Sequence, residues 1–180
     1  AAVGEPLSDD TLTDLEIETV DATAQAATEM LLPYLGQEED RLAPLIAEVL
    51  SRSEAVKLEH RQKLFDELWK TACPDTFEYA AKMLESGDVD LRLKGICLIG
   101  ASKHEDAAAS LESHFQVTRD ERQRIEVLKA SQILGDEKML GFAERSWTES
   151  KPGQVRDEAA ITAVYLGSPR PIAAIAELYA

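Results

Sequence analysis

Arg92, Arg124 and Arg156 stand 32 residues apart, and the same apolar pattern follows each of them. The sixteenth residue after each arginine is Ala108, Leu140 and Ile172, the nineteenth is Leu111, Ala143 and Ile175, and the twenty-third is Phe115, Trp147 and Tyr179. Thirty-one residues before Arg92, Arg61 opens a fourth frame with Phe77, Ala80 and Leu84 at the same offsets. Offsets of this kind are i, i+3 and i+7, one face of a helix. A fixed period near 32 residues is the mark of a stacked repeat, in which each unit buries its apolar face on its neighbours and no central core is needed. The predicted fold is therefore all-α, a right-handed α-α superhelix, or solenoid, of about five helical hairpins. No segment alternates in the way a strand requires.

Within a frame the spacing predicts helix A, a tight turn and helix B. The third and fourth residues after each arginine are Leu64 and Phe65, Gly95 and Ile96, Val127 and Leu128, and Ala159 and Ala160, a pair that faces the interior. Twelve residues after the arginine come Cys73, His104, Asp136 and Ser168; Asp and Ser are good caps for the helix that follows. Pro74 and Pro169 then fall where a missing N–H costs nothing, and Gly135 and Gly167 suit a left-handed end to helix A. Thr118 and Glu121 have capping-box spacing. The predicted pairs are 54–71 with 75–86, 89–101 with 105–116, 119–134 with 137–149, and 153–166 with 169–180. Ahead of them, Leu42, Leu45, Ile46 and Val49 repeat the helix-B spacing, and Thr11 to Leu32 reads as one acidic amphipathic helix ending near Pro33 and Gly36. The organisation is a flexible lead-in over 1–10, an atypical capping unit over 11–52, and four regular units over 53–180.

The net charge is −15, and it is concentrated at the front. Residues 1–60 hold 14 acids and three bases, and the first 40 residues hold no Lys or Arg. Phosphate backbones and anionic membranes are bound chiefly through Lys and Arg, so nucleic acid is not an expected partner. A basic protein or peptide is, and Asp14, Glu18 and Asp21 are the acidic residues placed to meet it. No apolar run reaches the ~20 residues of a membrane span, so no membrane insertion is expected. The first residues lack the basic and apolar regions of a signal peptide. Two cysteines, Cys73 and Cys97, are too few for a disulfide framework. The cytoplasm is favoured over a processed exported chain, with the compartment left open.

Val155-Arg156-Asp157-Glu158-Ala159-Ala160 running to Leu166-Gly167-Ser168-Pro169, and Arg124 running to Ile133-Leu134-Gly135-Asp136, carry a resemblance to the short HEAT repeat, including the form seen in phycobilisome lyases. It covers residues 54–180 well and the first third weakly, and Trp69 and Thr71 depart from the small or Leu residues usual there. The resemblance implies that Arg61, Arg92, Arg124 and Arg156 form a structural ladder tying helices to neighbouring turns. It also implies that helix B lines the concave face, and that a partner docks there. The function expected is a non-catalytic interaction scaffold, with an enzyme or enzyme accessory of the HEAT-like lyase kind as the alternative.

Catalytic chemistry finds little foothold. His104-Glu105 is a lone pair, whereas HEAT-like deoxyhypusine hydroxylases resemble one another in several such pairs around a di-iron site; His60 follows Glu59 in reversed order. No metal and no cofactor is expected. There is no G-x-S-x-G, Walker loop or G-x-G-x-x-G. Helix-B offsets outside the core give a row of small residues after Glu78, namely Ala109, Gly141 and Ala173. Lys82, Ser113 and Arg145 are expected to supply polar contacts beside it, and Tyr79 and Phe142 apolar area. The final helix, with Ile172, Ile175, Leu178 and Tyr179, has little polar surface, so further repeats, a partner or a second copy is expected to cover it.

Overall fold

The computed structural model of the protein describes residue 14 and residues 23–36, 42–51 and 56–178. Every regular element among them is helical. Ten α-helices are described: α1 (Ala24–Leu31), α2 (Leu42–Ser51), α3 (Leu58–Lys70), α4 (Phe77–Leu84), α5 (Val89–Ser102), α6 (Ala107–Val117), α7 (Glu121–Leu134), α8 (Glu137–Glu149), α9 (Gln154–Tyr165) and α10 (Arg170–Leu178). The four frames map onto α3–α4, α5–α6, α7–α8 and α9–α10, so α3, α5, α7 and α9 are the A helices.

Packing is sequential. Each substantial helix–helix contact among the described residues joins an element to its next or next-but-one helix along the chain. The polar links between units reflect the same period. Lys94 Nζ donates to Gln62 Oε1 at 3.4 Å across 32 residues, and Arg145 Nη2 donates to Glu112 Oε1 at 2.6 Å across 33. Gln132 Nε2 donates to Thr162 Oγ1 at 2.9 Å across 30, and the Gly36 amide to Glu67 Oε1 at 2.9 Å across 31.

The apolar frame supplies part of the core. Leu64, Ile96, Val127, Leu128, Ala159, Ala80, Leu111 and Ala143 are wholly buried. Ala108 and Phe115 are buried as well, and Leu84 and Trp147 pack partly buried against the same cluster. The A helices α5, α7 and α9 pack directly on one another, while the B helices α4, α6 and α8 touch sparingly. Gly100 explains the first of these contacts: a Cβ there would stand 2.5 Å from the Ala130 carbonyl oxygen of α7.

Helix ends follow cap chemistry, with some displacements from the predicted positions. Asp136 caps α8 by accepting from the Lys138 amide, and Gly135 ends α7 in the left-handed region at φ 67°. Lys103 takes the same conformation after α5 at φ 53°, without a glycine to ease it. The expected capping box at Thr118 and Glu121 is not formed. Asp120 is the cap of α7, its carboxylate accepting from the amides of Arg122 and Gln123, while Thr118 Oγ1 accepts from the Asp120 amide. A carboxylate next to the first turn can take two amides at once, which the hydroxyl two residues earlier cannot. Helix α4 starts at Phe77, because Pro74–Thr76 form a 3₁₀ turn, and α6 starts at Ala107 rather than beside His104. Of the acidic first helix, Ala24–Leu31 is described as helical, ending before Pro33 as expected. Its earlier part, apart from residue 14, and the lead-in lie outside the described residues.

Candidate functional site

The exposed row along the B helices is the broadest surface that the sequence singled out. Glu78, Lys82, Ala109, Ser113, Arg145 and Ala173 are exposed. Lys82 lies 5.1 Å over the half-buried Tyr79 ring, which pins a cation and an aromatic face together. Arg145 is tied to Glu112 of the preceding B helix at 2.6 Å. Phe142 does not join them. It is only 3% exposed and meets Phe115 edge-on at 5.0 Å, so it belongs to the core and offers a partner no apolar area. One residue is about 100° of helix rotation, and Phe142 stands one step from the core position Ala143. Asp14 is exposed; Glu18 and Asp21 lie outside the described residues.

The marker arginines do different things at different junctions. Arg61 Nη1 donates to Asp88 Oδ2 at 3.1 Å, reaching the turn before α5. Arg92 Nη1 donates to the Ser86 carbonyl in that same turn. Arg124 places its guanidinium over the Phe115 ring, 4.1 Å from the centroid. Nε of Arg61 and Nε of Arg124 are buried without an acceptor.

Asp88 carries the firmest electrostatic role. Partial burial opposes its ionisation, but the Asp90 and Leu91 amides and Arg61 outweigh that and hold its carboxyl below the usual range. A carboxyl depressed in this way stabilises the folded chain above its unfolded pKa, and the contribution fades as pH falls through the folded value. Asp88→Asn should therefore lower the thermal midpoint at about pH 6 and lower it by less at about pH 3, below the unfolded value, because the contribution is lost as pH falls toward and through the depressed folded value. Thermal melts of both proteins at the two pH values check this; an equal loss at both would remove the charge from the explanation.

The groups that ordinarily do chemistry are engaged structurally. Burial, and then the Glu126 carboxylate at 2.8 Å from Sγ, push the Cys97 thiol far up, away from the thiolate a nucleophile needs. His104 stacks on Phe77 with centroids 4.3 Å apart, and its Nδ1 accepts from the Asp106 amide. His114 Nε2 is paired with Gln123 Oε1 at 2.9 Å. Among the described residues no three His, Cys, Asp or Glu side chains converge as metal ligands, and no helix is long and apolar enough to cross a membrane.

One feature gave little sign in sequence. Glu144 on α8 accepts from Ser168 Oγ at 2.6 Å and from Arg170 Nη1 at 3.0 Å, tying α8 to the start of α10. Those hydrogen bonds, Ser168 first, hold the Glu144 carboxyl below its ordinary value. On the last pair, Ile161, Tyr165, Ile172 and Ile175 are all more than half exposed; Ile172 stands at the offset where Phe77 and Ala108 are buried, and Ile175 at that of Ala80, Leu111 and Ala143. No protein-family model matches the chain, and none of the curated proteins matches it.

Proposed function

We propose that this chain is a non-catalytic protein-interaction scaffold, built as a right-handed superhelix of about five HEAT-like hairpins. The observation that carries the reading is the row of Ala109, Gly141 and Ala173 flanked by exposed Lys82, Ser113 and Arg145. Small side chains let a peptide backbone or a helix approach closely, and the flanking polar groups fix its register. The sparing contact among the B helices α4, α6 and α8 supports the same surface, since a segment can lie between helices that do not pack tightly on one another. With a net charge of −15, the expected partner is a basic protein or peptide, and nucleic acid is repelled.

A photocrosslinking residue placed at Ser113 should capture a protein, and one at Ile133, on the A-helix side, should not. Capture from Ser113 should fall as salt rises toward 1 M, where the Debye length is about 3 Å. Equal capture from both positions, or none from Ser113, would contradict the reading.

A further inference from the structure

The junctions between units differ in one charge. Four residues before Arg92 stands Asp88, which caps α5 and accepts from Arg61 of the preceding unit. Four residues before Arg124 stands Asp120, which caps α7. Four residues before Arg156 stands Pro152, and no carboxylate takes its place. Helix α9 begins after Gly153, at φ 149°, with no side chain capping its first amides.

A cavity of about 360 Å³ opens at that junction, lined by Arg119, Arg124, Lys151 and Gly153, with Glu121 and Glu149 also on its wall. Among the described residues neither glutamate is ion-paired to the three cations. The Arg119 and Lys151 side chains make no hydrogen bond or ion pair among the described residues. Arg124 gives its guanidinium face to Phe115 and keeps a buried Nε with no acceptor. The corresponding cavity at the Arg61 junction, about 320 Å³, contains Asp88 and Asp90 of the chain itself. One socket is thus filled internally by a carboxylate, while its counterpart gathers three cations that no carboxylate of the described residues pairs, with Glu121 and Glu149 on the same wall.

We propose that the cavity between Arg119, Arg124 and Lys151 binds a ligand carboxylate, seated where Asp88 sits at the earlier junction. Guanidinium and ammonium groups supply charge-assisted hydrogen bonds, and the uncapped first turn of α9 adds amide donors and the positive end of its dipole. The carboxylate comes either from a free organic acid or from an acidic side chain on a peptide. The site is separate from the helix-B face and does not depend on it.

The test is a two-dimensional ¹H–¹⁵N titration of the 180-residue chain with succinate, referenced to sodium chloride at equal ionic strength. Saturating shifts are expected at the Gln154, Val155 and Arg156 amides. Lys151→Gln, in an exposed turn where folding is not at stake, should weaken binding about tenfold, the loss of one charge-assisted bond. Pro152→Asp restores a carboxylate to the offset of Asp88 and should abolish the response. A glutamate-containing peptide run in parallel identifies the source: tighter binding than succinate assigns it to a partner protein, weaker binding to a free acid. Shifts no larger than those from chloride, unchanged binding in Lys151→Gln, or a response to inorganic phosphate without one to succinate would overturn the proposal.

Discussion

Gly100→Val is expected to be among the most damaging single substitutions in the protein, costing about 3 kcal/mol of stability. The position lies in the last turn of α5, and even a Cβ would stand 2.5 Å from the Ala130 carbonyl oxygen and 3.0 Å from the Ala130 carbonyl carbon and Cα. Backbone atoms cannot swing aside as a side chain can, so α5 and α7 must separate. Separation also loosens Cys97 from Glu126, whose contact spans the same two helices. Denaturant titration followed by far-UV circular dichroism measures the loss as a shift in midpoint. A neutral Gly100→Val would mean that α5 and α7 do not approach this closely.

Leu111→Ala should cost ~2–5 kcal/mol, the range for deleting most of a large aliphatic side chain from a closed core. Leu111 is fully buried on α6, between its own A helix and α7. Ala109→Ser, two residues away on the exposed row, serves as the control and should stay within about 0.5 kcal/mol, as surface substitutions do. In an array whose units contact only neighbours, the damage from Leu111→Ala should be greatest in α5, α6 and α7. Tolerance of this change would break the register that places Leu111, Ala80 and Ala143 at one offset.

That register was legible because apolar side chains are forced inward in the units up to α8, so the period is written in Leu, Ala and Phe at matching offsets, while Ile172 and Ile175 hold the same offsets exposed on α10. Helix spans followed within a few residues, and Gly135 and Asp136 marked a real helix end and a real cap. The cap of α7 was misread because Thr118 and Glu121 satisfy a spacing rule that Asp120, closer to the first turn, overrides. Phe142 was misassigned because period alone does not resolve one helix step, and a large ring beside a core alanine turns inward toward Phe115. The approach of Gly100 to Ala130 depends on the distance between two helices, which one helix's pattern does not encode. For the candidate sites, Lys82, Ser113 and Arg145 emerged where their offsets put them, on the surface. The cluster of Arg119, Arg124 and Lys151 comes from the turn before α7, α7 itself and the turn before α9, brought together by packing. Its trace in sequence is the exchange of Asp88 and Asp120 for Pro152, visible once the junctions are aligned.

Sequential stacking can be measured directly by amide hydrogen exchange resolved along the chain. Protection should be strongest in α5 and α7, which have packed helices on both sides, and should fall toward α1 and α10 in steps that follow the hairpins. With Leu111→Ala, protection should drop first in α5, α6 and α7 and least in α10. A single protected core, opening from α1 to α10 at one common free energy and weakened everywhere alike by Leu111→Ala, would contradict a stack of hairpins held only by their neighbours.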